Sequence, residues 1–389
     1  LINLNNFERK FLFVSFFIND IMNSRVYFID LKATCAEDAL PEKVARLFDA
    51  AHFESCFQPG DLSAIKVHFG ERGNTGFIPP WLIRPAVDKI KSLKAYPFLT
   101  DTNTLYLGSR KNAVKHLNVA ISHGFVSEVV GAPILIADGL RGNNYVEKEI
   151  PGNRFKKVKI ARDIAEADSM LVLSHFKGHV MAGFGGAIKN LAMGCAPAAG
   201  KIEQHSARPV ADPEKCIGCG LCVSLCPSSS IDLLDGKAVV RAETCIGCGE
   251  CMSHCQQKAM ELDWKAEIPP FIERMVEYAL GATIGKKEKM GYINFILNVT
   301  PDCDCMGWTD RAIVPDIGIL ASTDPVALDK ACFDLVNMQQ GFQNSALQSN
   351  HAPELDKFKG LNPDSLSDYQ ITYGSKIGLG SGIYELIRI

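Results

Sequence analysis

Residues 216–255 read CIGCGLCVSLCPSSSIDLLDGKAVVRAETCIGCGECMSHC, and the rest of the chain is organised around this stretch. Cys216, Cys219 and Cys222 stand two residues apart, and Cys226 follows after three more. The same set recurs as Cys245, Cys248, Cys251 and Cys255, each 29 positions downstream. Ile217 and Ile246, Gly218 and Gly247, and Gly220 and Gly249 coincide as well, so the segment is an internal duplication in register.

Three thiolates at this spacing wrap one iron–sulfur cube, while the fourth of each run reaches the other cube. The spacing therefore assigns Cys216, Cys219, Cys222 and Cys255 to one [4Fe–4S] cluster. It assigns Cys245, Cys248, Cys251 and Cys226 to a second. The glycines let backbone N–H groups approach the sulfides and soften their charge. Zinc usually takes two Cys-x2-Cys pairs, and two triads with a distant fourth cysteine fit that scheme poorly. Gln256 stands where the first run has Pro227, a change that removes no ligand. Residues 212–264 are thus expected to form a small α+β module of the bacterial dicluster-ferredoxin type.

Pro209 and Pro213 mark the entry to this segment, and Pro269 and Pro270 its exit. Upstream, strand candidates alternate with helix candidates. The strands are Val26–Leu31, Ala64–Val67, Pro97–Thr100, Ile134–Ala137, Lys157–Ile160 and Met170–Leu173. The helices are Pro41–Cys56, Pro80–Lys94 and Ser109–Gly124, with proline in the first turn of two and Gly124 as a C-terminal cap. Downstream, Phe271–Leu280 reads as a helix, and Ile293–Val299 and Ile317–Ala321 as buried strands. Thr323-Asp324-Pro325 then opens a helix whose Ala327, Leu328, Ala331, Cys332 and Leu335 share one apolar stripe. This alternation predicts an α/β body with a mostly parallel sheet, arranged as two α/β lobes and interrupted by the cysteine module. The domains would be 22–211 and 265–389 for the body and 212–264 for the insertion.

Residues 1–21 read as an extension ahead of the first strand. The apolar run Phe11 to Ile18 is short for a signal peptide and lacks a clean cleavage site. The chain has 389 residues, 47% of them hydrophobic, enough for a large core. A net charge of −3 with no basic run points away from nucleic acid. No apolar stretch has the length of a membrane helix. Fourteen cysteines, eight of them in metal-type runs, suit a reducing cytoplasm better than a disulfide scaffold.

Several further stretches carry a resemblance. They are Ile65-Lys66-Val67-His68-Phe69-Gly70-Glu71-Arg72-Gly73-Asn74-Thr75, Asp101-Thr102-Asn103-Thr104-Leu105-Tyr106 with Gly108-Ser109-Arg110, and Gly183-Phe184-Gly185-Gly186-Ala187-Ile188-Lys189-Asn190. Lys201-Ile202-Glu203-Gln204-His205, Asp302-Cys303-Asp304-Cys305 and residues 317–329 complete the set. Together they resemble the family called domain of unknown function 362, in its ferredoxin-containing form. Gly183 to Lys189 alone also looks like the glycine-rich segment of nickel-pincer lactate racemases. That second resemblance implies a cofactor tethered to Lys189 and a metal ligand at His205.

Ligands of open α/β sheets bind beyond the carboxyl ends of the strands. His68 follows Ala64–Val67, and Asp101 and Asn103 follow Pro97–Thr100. His175, Lys177 and His179 follow Met170–Leu173, and Asp302, Cys303 and Cys305 follow Ile293–Val299. Four strands thus deliver ionisable groups to one edge, where a cleft is expected. His68, Asp101, His175, His179, Lys189 and His205 are the candidate catalytic residues, with histidine the natural proton carrier near neutral pH. Gly183, Gly185 and Gly186 allow close approach of a ligand beside Lys189 and are the candidate cofactor-binding positions. They do not form a G-x-G-x-x-G fingerprint, so a nicotinamide site is weakly supported. His175 and His179 have helical spacing, but Gly178 favours a loop. Cys303 and Cys305 are candidates for an additional soft metal or for redox chemistry. Their acidic neighbours raise thiol pKa, which a bound metal would reverse. Cys35, Cys56 and Cys332 read as small buried hydrophobes, and Cys195 is undecided.

The reading is an iron–sulfur oxidoreductase that moves electrons between an external redox partner, protein or small molecule, and a small anionic or carbonyl-type substrate in the cleft. Lys66 and Lys189 would hold negative charge. The alternatives are an electron or cluster carrier without chemistry of its own and a metal-cofactor racemase or isomerase.

Overall fold

The structure is a computed structural model and describes residues 23–105, 108–206, 208–241, 243–245, 250–263 and 268–389. The expected extension 1–21 and Cys248 lie outside the described residues.

An eight-stranded sheet runs through the body in the order Tyr384–Arg388, Ser24–Asp30, Gly318–Ser322, Met290–Ile296, Ser169–His175, Leu62–Lys66, Tyr96–Asp101 and Ile134–Ile136. Gly318–Ser322 is antiparallel to both of its neighbours. The other pairings are parallel. The α/β body with a mostly parallel sheet is therefore what the alternation predicted. The two lobes are not: strands from before and after the cysteine segment share one sheet. The reason lies in Met290–Ile296, which pairs in register with Ser169–His175 across a long stretch of intervening chain.

Both faces of the sheet are buried, as parallel strands with crossover helices require. Met170 and Val172 point into one core with the helices Ala187–Cys195, Ile268–Thr283 and Pro325–Asn337. Leu171 and Leu173 point into the other with Leu40–Ala50 and Arg84–Ser92. The period of two along one strand thus seals two layers.

Local chemistry sets the helix ends. Asp324 accepts from the N–H groups of Val326 and Ala327, and Pro325 begins the helix, as its sequence implied. The expected helix Pro41–Cys56 stops at Ala50 because His52 turns left-handed, at φ 54°. The helix expected from Ser109 starts at Ala113, where the Asn112 side chain accepts from Lys115 N–H. Gly124 follows it with φ 86°.

Lys157–Ala161 is a strand, but it pairs with Tyr145–Glu149 in a hairpin outside the main sheet. Lys177–His179 pairs with Gly183–Gly185 where a loop was expected. Gly183 takes φ +79°, and a Cβ there would lie 2.5 Å from the Cβ of Ser367. Strands of three residues are too short to leave a periodic signal.

In the cysteine segment, Arg208–Ala211 pairs with Met260–Asp263, so the chain leaves and returns at one place. Ile231–Leu234 pairs with Lys237–Val240. Ile231, Ala238, Met252 and Met260 form a small core, against which Cys216, Cys222, Cys226 and Cys255 pack. Among the described residues, no helix is long and apolar enough to cross a membrane.

Candidate functional site

The parallel strands end at one edge, and a cavity of about 910 Å³ opens there. His68, Asp101, His175, His179, Lys189 and His205 all line it, as do Gly186, Cys303 and Cys305. Gly183 and Gly185 are buried behind it. Asn103 is fully buried too, and both its backbone and side-chain N–H groups donate to Asp138, so it braces its loop.

On one side lies a buried charge network. Lys66 Nζ stands 2.9 Å from Asp101 Oδ1 and donates to Asn190 Oδ1 at 2.7 Å. Arg110 bridges Glu71 at 3.1 Å and Asp101 at 3.6 Å, and its Nη1 lies 3.2 Å from His68 Nε2. Burial alone would raise the Asp101 carboxyl, but Lys66 and His116 hold it well below the usual carboxylate range. Burial and the Arg110 charge push His68 well below the ordinary imidazole value. Gly70 N–H donates to His68 Nδ1, which leaves Nε2 toward Arg110.

The strand Ser169–His175 ends in a second network. His175 Nδ1 meets Asp304 Oδ1 at 2.9 Å, and its Nε2 faces the carbonyls of Leu297 and Asn298. Both ring nitrogens are therefore engaged, and the ring serves to position Asp304. Lys177 Nζ lies 3.2 Å from the other Asp304 oxygen. Burial opposes ionisation of Asp304, yet His175 and Lys177 hold its carboxyl well below the usual range.

Lys189 projects from the helix Ala187–Cys195 into the cavity, 3.0 Å from Cys303 Sγ. Desolvation, reinforced by Lys177, lowers its ammonium to about 7. Cys303 and Cys305 are joined as a disulfide. The start of this helix is closed to ligands, because Asp329 accepts from Ala187 and Ile188 N–H. Gly186 is glycine because a Cβ would lie 2.3 Å from Asp329 Oδ1. Burial raises that carboxyl to about 6.

His179 and His205 both pack on Phe271, with ring centroids 6.2 and 5.0 Å from it. Met181 and Ala182 N–H donate to His179 Nδ1. Burial, then Lys189, lowers both rings, His205 to about 3, so both are neutral at neutral pH.

Sequence reasoning did not name Arg110, Glu71 or Lys201 as site residues. Each sits inside a stretch that carries the family resemblance, which was the available signal. Lys201 donates to Thr102 Oγ1, Asn103 O and Ala196 O, and burial lowers its ammonium to about 8.

A second cavity, of about 210 Å³, lies in the cysteine segment. Cys216, Cys219, Cys222 and Cys255 line it together. Ala238 N–H donates to Cys216 Sγ, and Ala259 N–H to Cys255 Sγ. The first of these bonds, with one from Gly218, lowers the Cys216 thiol. Among the described residues, no three His, Cys, Asp or Glu side chains could hold a single metal ion. Cys56, Cys195 and Cys332 are buried. Cys35 is exposed, contrary to its apolar reading, because it precedes the one-turn helix Ala36–Asp38, which buries nothing.

Residues 64–334 match the family described as Domain of unknown function (DUF362). The chain belongs to this family. No curated protein matches the DUF362 chain. Among solved structures, it is similar to the lactate racemase apoprotein from Thermoanaerobacterium thermosaccharolyticum, at 12% identity and TM-score 0.43. That alignment covers 81% of this chain and 58% of the other. A Thermotoga maritima protein from structural genomics aligns at 8% identity and TM-score 0.37, over 76% of this chain and 58% of its own. The DUF362 chain thus spans under two thirds of the length of either.

Proposed function

We propose that this DUF362 chain is an iron–sulfur oxidoreductase that exchanges electrons between an external redox partner and a small anionic substrate held in the larger cavity. The observation that carries the reading is the smaller cavity, whose walls bear the thiols of Cys216, Cys219, Cys222 and Cys255. These four thiols surround a volume, as a cubane needs, and two receive backbone N–H bonds that offset thiolate charge. Cys245, Cys251 and Cys226, with Cys248, would hold a second cluster. When bound, such clusters supply single electrons. Residues 212–264 would be the module that carries them. The module's two connections favour delivery to the larger cavity: His205 before it and Ile268 after it both line that cavity.

The larger cavity favours catalysis over simple carriage. Arg72, Arg110, Lys177, Lys189 and Lys201 line it against Glu71, Asp101 and Asp304, an excess of positive charge that attracts an anion. Lys189, with its ammonium lowered to about 7, is poised to give or take a proton near neutrality. His68 and His179 are neutral neighbours whose Nδ1 atoms accept from backbone N–H groups, so each ring presents an Nε2–H donor rather than a base.

Anaerobic purification with iron and acid-labile sulfide analysis tests the cluster assignment. About eight irons per chain are expected for two cubes. A colourless, iron-free sample would end the reading. The division of labour has its own check: Lys189→Ala should keep cluster absorbance and lose turnover of the substrate.

A further inference from the structure

The disulfide between Cys303 and Cys305 sits on the wall of the larger cavity, and the groups around it manage charge. Lys189 Nζ lies 3.0 Å from Cys303 Sγ. Cys305 N–H donates to the same sulfur at 3.3 Å. Asp304, between the two cysteines, would oppose a thiolate, but its carboxylate is turned to His175 Nδ1 at 2.9 Å and Lys177 Nζ at 3.2 Å. Cys303 is buried, at 5% exposure, whereas Cys305 is more open. The two sulfurs are therefore inequivalent. One lies among donors that hold negative charge, and the other is within reach of the cavity.

We propose that Cys303 and Cys305 form a redox-active disulfide, a two-electron store in the cavity wall, with Lys189 as the cation that positions charge on Cys303. This extends the redox reading of the cavity, but its test needs no cluster. With an external dithiol as reductant, one donor thiolate attacks Cys305 Sγ. The S–S bond breaks, and its electron pair leaves on Cys303 Sγ beside Lys189. The donor's second thiolate then attacks the mixed disulfide, closes the donor's own disulfide and releases Cys305 as a thiolate. Each cysteine thiolate then takes up one proton as pH allows. With one-electron donors, two electrons and two protons accomplish the same reduction.

The test is alkylation mapping of the full chain, purified without oxygen. N-ethylmaleimide is added to protein first treated with a small disulfide oxidant, and to the same protein after dithiothreitol, and peptide masses locate the label. Cys303 and Cys305 should be unlabelled at first, labelled after reduction, and protected again by a small disulfide oxidant. Label on both in the oxidised sample, or on neither after reduction, would overturn the proposal. Lys189→Met should slow alkylation of reduced Cys303 at neutral pH about tenfold, the effect of one unit in thiol pKa. Lys189→Arg should restore much of the rate. A Lys189→Met rate equal to the parent's would remove lysine from the mechanism and sink the pairing. Iron counted in the same samples separates the two readings: its loss with intact thiol cycling defeats only the cluster assignment.

Discussion

The ammonium of Lys66 stands 2.9 Å from the carboxylate of Asp101, and both side chains are sealed from solvent. Breaking such a pair leaves a buried charge without its partner, which costs about 3–5 kcal/mol. Lys66→Met and Asp101→Leu should each destabilise the protein by that order in urea titrations. The double variant should recover part of the loss. Strict additivity of the two losses would show that the pair does not act as a unit.

The same carboxylates set an acid limit. Asp101 and Asp304 have folded pKa values held below the unfolded ones, so the folded state gains stability above the ordinary carboxylate pKa. That gain should shrink as pH falls through the unfolded value toward the lowered folded ones. Thermal melts of Asp304→Asn against the parent should diverge near neutral pH and converge in acid. A constant gap across the range would contradict the assignment.

Lys189 should titrate as an amine near neutrality. Its reactivity toward an amine-acylating reagent should rise with pH and level off above about 7, while exposed lysines keep gaining until far higher pH. Site-resolved mass spectrometry across a pH series reads this directly. A Lys189 profile that tracks those of surface lysines would remove the desolvated amine from the site.

Gly186 has no room for a methyl group, because Asp329 Oδ1 would lie 2.3 Å from it. Gly186→Ala should cost about 1–3 kcal/mol through overpacking. It should also disturb the Asp329 bonds to Ala187 and Ile188 that start the Lys189 helix. Calorimetry reports the first effect, and the pH profile of Lys189 labelling the second. An unchanged melting temperature would refute the close contact.

On the proposed assignment of two cubes, replacing Cys219 by serine should remove one cluster and spare the other. Iron should fall from about eight to about four per chain. A loss of one metal equivalent, with no labile sulfide, would favour a single-ion site instead.

Much of this protein was legible from one dimension of information. The register of the two cysteine runs was plain because it is a repeat of fixed local spacing, and local spacing is what a sequence records. The alternation of strands and helices, and Asp324 with Pro325 at a helix start, were readable for the same reason. So was the delivery of His68, Asp101 and His175 to one sheet edge, since parallel strands place their carboxyl ends together. Three-dimensional packing settled the rest. Met290–Ile296 joined Ser169–His175 in one sheet rather than in a separate lobe, a choice made by pairing between distant segments. Packing also set His175 against Asp304, Arg110 between Glu71 and Asp101, and Lys189 beside Cys303. Burial, which no local pattern encodes, lowered the Lys189 ammonium toward neutrality. Contacts such as His175–Asp304 and Lys189–Cys303, between residues more than a hundred positions apart, depend on how layers close over one another, so they become visible only once the chain has folded.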